Sequence, residues 1–253
     1  MYIYIMQKKY KYILILLVIF VIILCIWTMY STNKNKINHL ITNNAIKHQQ
    51  NIPIKDIEGY ASVDDSYNSP YILNNVLTPS QCNQIMLMTK NNLVDSSTVG
   101  GYNKKVRNSM QTWISKKDPL VQELYNKLSL IVGIPTSHAE DLQVVRYLPG
   151  QYYNEHHDAC CTNDIRCSEF IKKGGQRMLT VLIYLNSDFE GGSTRFPNLN
   201  TDFKPNVGSA IVFHPLANNT SKCHPLALHA GTPVTSGEKW IANIWFRENI
   251  FYS

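Results

Sequence analysis

Two absences stand out in the 253-residue chain. Charge is missing from Tyr12 to Asn33, and any charge excess is missing beyond residue 60. The first absence excludes a soluble start. The run "YILILLVIFVIILCIW" from Tyr12 to Trp27 is almost wholly apolar. With the next three residues it reaches about 19, close to the roughly 20 that cross a bilayer core as a helix. A cleaved signal peptide is the bland alternative, but "CIWTMYSTNK" lacks the small-residue site a signal peptidase needs. The expectation is therefore a cytoplasmic N-terminus at 1–11 and a transmembrane signal-anchor at 12–30. Lys8, Lys9 and Lys11 before the span outnumber Lys34 and Lys36 just after it. That bias gives a single-pass type II protein, with the rest of the chain lumenal (endoplasmic reticulum) or extracellular.

The second absence excludes a nucleic-acid surface. Residues 1–60 hold seven lysines and two acids, while the remainder holds 17 basic and 16 acidic residues. A nearly neutral body has no electrostatic footprint for phosphates. Residues 31–70 read as a linker or stalk without a strong period, and 71–253 as the folded domain.

Two helices are legible. Thr78 as N-cap, Pro79 at N1 and Gln81 at N3 form a capping-box pattern. Asp118 and Pro119 open a second helix, with Leu120, Leu124, Leu128 and Ile131 on its apolar face and Gly133 at its end. After Gly133 the texture changes to short β-branched and aromatic runs, at 142–147, 178–185, 209–213, 226–230 and 240–246, punctuated by Gly and Pro. Helices followed by many short strands predict an α+β domain, a sandwich or a jelly roll (double-stranded β-helix) with packing helices on one side.

The chemistry concentrates in "GQYYNEHHDAC", from Gly150 to Cys160. On a strand, residues i and i+2 share a face, so His156 and Asp158 can reach one ion while His157 points away. His229 in "LALHAGTPV" supplies a third donor. Two histidines and one carboxylate form the facial triad of non-haem iron(II) oxygenases, with open positions left for co-substrate and oxygen. H-x-D alone is a weak signal. Lys239, at the start of an aromatic strand, strengthens it, because a buried lysine calls for an anion. A dicarboxylate such as 2-oxoglutarate would bind iron with one end and Lys239 with the other.

Cysteines stand at 25, 82, 160, 161, 167 and 223. A lumenal domain allows disulfides from Cys160 or Cys161 to Cys167 or to Cys223, with the pairing open. A zinc site using "CCTNDIRC", Cys223 and His224 is the weaker alternative. "NNTS" from Asn218 to Ser221 holds two overlapping glycosylation sequons. "FEGGS" reads as a turn on Gly191 and Gly192, and 159–175 as a loop beside the substrate groove.

From Leu77 to Phe246 the chain resembles the collagen-type prolyl 4-hydroxylases, 2-oxoglutarate- and Fe(II)-dependent dioxygenases. The matching segments are "VRNSMQTW", "AEDLQVVRYLPGQYYNEHHD", "RMLTVLIYLN", "FEGGSTRFP", "PNVGSAIVF" and "LHAGTPVTSGEKWIANIWF". The small size resembles the short plant, algal or viral members, and the abundant Asn, Ile, Lys and Tyr point to an AT-rich genome such as that of a large DNA virus. The resemblance implies that His156, Asp158 and His229 bind iron and that Lys239 binds the far carboxylate of 2-oxoglutarate. It implies that Tyr147, with Thr180 or Tyr184, helps hold the co-substrate, and that Glu140, Tyr153, Arg177 and Trp245 line a peptide groove. It implies no catalytic residue beyond the iron centre, L-ascorbate as the reductant that rescues oxidised iron, and a Pro-rich or collagen-like peptide as substrate. His157, often aromatic in the family, is read as packing. Two rival functions remain: the same chemistry on peptidyl lysine or a small molecule, or an inactive jelly roll that binds Pro-rich chains.

Overall fold

Alternating side chains need a layer on each face of a sheet, and the strands here supply both. The computed structural model describes residues 59–98, 101 and 103–252. Thirteen strands follow in chain order: β1 (Tyr71–Leu73), β2 (Val94–Asp95), β3 (Met110–Ile114), β4 (Leu142–Tyr147), β5 (Tyr153–His156), β6 (Arg177–Tyr184), β7 (Phe189–Gly191), β8 (Thr194–Phe196), β9 (Thr201–Phe203), β10 (Ala210–Phe213), β11 (His229–Gly231), β12 (Val234–Gly237) and β13 (Lys239–Arg247). Among the described residues the α-helices are α1 (Pro79–Thr89), α2 (Pro119–Val132) and α3 (Ile165–Ile171). A seven-stranded antiparallel sheet runs β1-β10-β6-β13-β4-β3-β2, a four-stranded one β5-β11-β8-β9, and β12 pairs with β7. The arrangement is mostly antiparallel sheet with few helices, and jelly-roll-like.

β13 lies at the centre of the large sheet and all nine of its residues are buried. Its even positions, Trp240, Ala242, Ile244 and Phe246, pack with Leu124 and Leu128 of α2 and Ile85 of α1. Burial on that scale makes each large residue matter: Phe246→Ala would cost about 3–5 kcal/mol. Its odd positions turn to the interior of the roll, where Ile241 packs with Tyr184, Phe196 and Phe213. That second layer holds the site.

Local chemistry fixes the helix ends. Thr78 Oγ1 accepts from Gln81 N at 3.2 Å and Gln81 Oε1 accepts from Thr78 N at 2.9 Å, the reciprocal box. Asp118 caps α2, and Gly133 closes it with φ 73°. The buried face of α2 is Val121, Leu124, Tyr125 and Leu128. It is rotated from the expected leucine stripe, so Ile131 is left 48% exposed. Tyr125 causes the shift, because its hydroxyl donates to Glu140 O at 2.8 Å and draws its side of the helix inward.

Three expectations need adjustment. The run at 226–230 is not one strand: Pro225–Ala227 is a 3-10 turn capped by the His224 side chain, and β11 starts only at His229. The loop at 159–175 contains a helix, α3, capped by Asp164. The folded body also reaches N-terminal of Tyr71, since Ala61 N donates to Cys223 O at 2.9 Å and Ala61 is buried. The apolar run at 12–30 lies outside the described residues, as does most of the linker. Among the described residues no helix is long and apolar enough to cross a membrane.

Candidate metal centre

The antiparallel pairing of β11 with β5 sets His229 directly across from His156. Asp158 follows just beyond the end of β5. The chain has left the regular strand there, so a bend, rather than alternation within the strand, brings its carboxylate back beside His156. His156 Nε2 lies 3.7 Å from Asp158 Oδ1, and His229 Nε2 lies 3.9 Å from Asp158 Oδ2. All three donor atoms fall within 4.8 Å of one another.

Each histidine is turned to present Nε2. His156 Nδ1 sits 2.7 Å from Asn154 O, and His229 Nδ1 sits 3.0 Å from Ala227 O. A carbonyl only accepts, so Nδ1 carries the proton and the Nε2 lone pair faces the site. Asp158 is oriented as firmly. Its Oδ2 accepts from Thr180 Oγ1 at 2.7 Å and from Trp245 Nε1 at 2.9 Å. Such outer partners fix a ligand's aim. Burial alone would raise the Asp158 pKa, but His229, His156, Arg177 and the Trp245 bond together hold it well below the ordinary carboxylate range. Burial, reinforced by His229, keeps His156 neutral far below its usual value. A carboxylate and two imidazoles that aim Nε2 into the site fit iron(II).

His157 faces the opposite way. It packs edge-on against Tyr60 at 5.2 Å, near the Cys161–Cys223 disulfide.

The donors open onto a cavity of about 820 Å³. At one end lies Lys239, 2% exposed, whose ammonium has no hydrogen bond or ion pair from any described residue. Burial, with a smaller push from Lys204, lowers its pKa to about 7. A buried ammonium facing the rings of Tyr184 and Tyr147, at 4.9 and 5.3 Å, is a seat for an anion. Lys239 pairs across the sheet with Tyr147. The roles expected for Thr180 and Tyr184 look different in the structure. Thr180 bonds the metal-side carboxylate, and the Tyr184 hydroxyl is committed to Thr194 Oγ1 at 2.9 Å and to Phe203 O.

Glu140 and Arg177, read as groove residues, do line the cavity, yet they are bonded to each other. Arg177 donates to both Glu140 oxygens, at 2.7 and 2.8 Å, and Arg247 adds a bond to Oε1 at 2.8 Å. Burial would raise the Glu140 pKa, and the two guanidiniums bring it below normal. The Arg177 guanidinium lies 3.6 Å from the Trp245 ring centre, so this cluster backs the residue that steadies Asp158. Tyr153 stacks on His156 at 3.5 Å, and the Arg107 guanidinium lies over the Tyr153 ring at 4.7 Å.

Sequence reasoning passed over Arg247, Asn243 and Thr194, all on the cavity wall. The signal was available for the first two: counting by twos from Lys239 along β13 reaches Ile241, Asn243, Trp245 and Arg247.

The four cysteines near the site form Cys160–Cys167 and Cys161–Cys223 disulfides, which leaves no thiolate there for zinc.

The sequence pattern of the 2OG-Fe(II) oxygenase superfamily matches residues 142–247, which hold all three donors and Lys239. A putative prolyl 4-hydroxylase of Acanthamoeba polyphaga mimivirus is 53% identical over 219 residues, covering 87% of this chain and 90% of that one. The chain belongs to the prolyl 4-hydroxylases of the 2OG-Fe(II) oxygenase superfamily. Prolyl 4-hydroxylase 2 of Arabidopsis thaliana is 34% identical, covering 72% of this chain and 68% of that one. The crystal structure of a viral collagen prolyl hydroxylase from Paramecium bursaria Chlorella virus-1, in complex with 2OG, superposes with a TM-score of 0.56 at 34% identity, covering 73% of this chain and 98% of that one. As a family member the chain is a dioxygenase that depends on Fe(II) and 2-oxoglutarate.

Proposed function

We propose that this prolyl 4-hydroxylase acts on proline within Pro-rich or collagen-like polypeptides and is anchored in a membrane by residues 12–30. The observation that carries the substrate reading is the reach of the cavity. It extends from Lys239 past the three metal donors to the rim formed by α3 and Phe251. At about 820 Å³ it is far larger than a five-carbon dicarboxylate needs, and one side is open. An extended chain can cross that side, where a free small molecule would leave most of the wall wet. The Chlorella virus relative, described as a collagen prolyl hydroxylase, supports the same substrate class.

The balanced reaction is peptidyl proline, O2 and 2-oxoglutarate giving peptidyl 4-hydroxyproline, succinate and CO2. His156, Asp158 and His229 would hold iron(II), which would supply the redox chemistry that couples 2-oxoglutarate decarboxylation to oxygenation of the proline. The protein's part is positional. Lys239 and Tyr147 set the co-substrate's far end. Thr180 and Trp245 hold Asp158. Tyr153, stacked on His156, bounds the space where the proline ring would lie. L-Ascorbate serves as the external reductant for uncoupled turnovers.

Incubating the purified full chain with iron, 2-oxoglutarate and a Pro-rich peptide should release succinate in step with hydroxyproline found by mass spectrometry. Succinate only with lysine peptides or free small molecules would move the substrate class. No succinate with any of them would leave a binding module. For the anchor, the expected topology is type II with a lumenal domain. In sealed microsomes the domain should resist added protease until detergent is present, and digestion without detergent would reverse the orientation.

A further inference from the structure

Two adjacent cysteines send disulfides in opposite directions. Cys161 joins Cys223, and Cys160 joins Cys167. Their surroundings differ in a way that assigns each bond a separate task.

The Cys161–Cys223 bond closes a ring that includes two metal donors. From Asp158 the chain runs three residues to Cys161, crosses the disulfide, and runs six residues from Cys223 to His229. His229 Nε2 then faces Asp158 Oδ2 at 3.9 Å. The second arm is stiff. His224 Nδ1 accepts from Leu226 N at 3.1 Å, the 3-10 turn Pro225–Ala227 follows, and Ala227 O accepts from the His229 ring. Among the described residues no hydrogen bond joins 158–161 directly to 223–228. The covalent link is thus the direct tie between 158–161 and 223–228, added to the β5–β11 pairing that sets His229 across from His156, and it is buried with Ala159 and Leu216.

The Cys160–Cys167 bond does something else. The Cys160 backbone is already fixed, because Gln176 accepts from its N–H at 2.9 Å and donates to its carbonyl at 2.7 Å. Removing this disulfide would therefore leave the ligand arm in place. Its other end is the first turn of α3, a seven-residue helix too short to persist alone. α3 brings Phe170 over Arg247 at 4.0 Å and over Arg177 at 5.0 Å, and so forms a wall of the cavity.

We infer that the vicinal cysteines are positioning residues with divided labour: Cys161–Cys223 presets the spacing of Asp158 and His229 for the metal, and Cys160–Cys167 holds the α3 wall for the substrate. The second half rests on the peptide-hydroxylase reading; the first does not.

The test uses two double variants of the full chain, Cys161→Ala/Cys223→Ala and Cys160→Ala/Cys167→Ala, and needs no turnover for its main readout. Anaerobic calorimetric titration of iron(II) into metal-free protein should show the first variant weakened by about 10–100-fold, as for lost outer-shell support. The second variant should stay within about twofold of wild type in iron affinity. Its KM for a Pro-rich peptide should rise about threefold to tenfold, the cost of ordering a loosened wall on binding, with kcat changed less. If the first variant does not fold, adding a phosphine reductant to folded Cys160→Ala/Cys167→Ala protein opens the Cys161–Cys223 bond alone, and iron affinity should then fall. Wild-type iron affinity without the Cys161–Cys223 bond overturns the proposal, as does equal loss of affinity from either pair. If the iron results hold and no peptide is turned over, the substrate reading fails and the metal-spacing role stands.

Discussion

Thr180 Oγ1 donates to Asp158 Oδ2 at 2.7 Å, across from Trp245 Nε1, which donates to the same oxygen at 2.9 Å. The two donors sit opposite each other on neighbouring strands, since Trp245 pairs with Thr180 in the β13–β6 ladder. One oxygen of the carboxylate is thereby pinned by the large sheet while the other is left toward His156. Thr180→Val keeps the shape and removes the hydroxyl. Iron affinity should drop by about tenfold or more, with the Michaelis constant for 2-oxoglutarate moving less once iron is saturating. A selective rise in that constant at full iron loading would return Thr180 to the co-substrate.

The orientation of the two neighbouring histidines gives a second test. His156→Ala and Asp158→Ala should each lose bound iron and turnover. His157→Ala should keep most of both, because its ring packs on Tyr60 away from the donors. Iron content of the three purified variants decides the matter, and an iron-free His157→Ala protein that is otherwise folded would overturn this assignment.

Lys239 predicts a pH signature. Burial has lowered its pKa to about 7 from an ordinary 10.5, so without co-substrate it is largely neutral above pH 7. A dicarboxylate favours the charged form, so binding above pH 7 takes up close to one proton. Affinity for 2-oxoglutarate should therefore weaken by up to about tenfold per pH unit between 7 and 9. The same shift makes the ligand-free fold more stable as pH rises through that range, because the unfolded lysine holds its proton longer. Calorimetry in buffers of different ionisation enthalpy reads the proton uptake, and Lys239→Met should abolish it. Lys239→Arg should not restore wild-type binding, since a planar fork is longer and aimed differently.

Arg247 is buried between Phe170 and Phe251 and shares Glu140 with Arg177. Arg247→Met removes one of two cations from a buried carboxylate and should destabilise the protein by about 3–5 kcal/mol. Glu140 has a depressed pKa, so its contribution is present at neutral pH and is lost as pH falls through the folded value. With one guanidinium gone, that loss should begin at higher pH. Urea unfolding of both proteins between pH 3 and 7 measures it; parallel curves would show that Arg177 alone sets the carboxylate.

Much of this centre was legible because it depends on short-range rules. Capping chemistry located α1 and α2, β-branched runs located β4, β6, β10 and β13, and H-x-D with a later histidine located the donors. What escaped depended on tertiary contacts. Tyr125 turned α2 because its hydroxyl found Glu140 O, a partner that only the fold supplies. α3 is not visible in the sequence because seven residues carry little periodicity, and the Cys160–Cys167 bond and Arg247 that hold it are remote from any local signal. Asn243 and Arg247 were readable by alternation but lie outside any recognised motif.

β13 acts as a ruler. Lys239 stands at one end and Arg247 at the other, eight steps of about 3.3 Å apart. The separation between the carboxylate seat and the α3 rim is thus written in residue count. Inserting or deleting one residue within the strand would flip every side chain on one side of the change, so that either Phe246 turns into the cavity at one end or Trp240 turns in and Lys239 turns toward the helices at the other. Variation in length is therefore admissible in the turns on either side of this strand and disruptive inside its nine residues.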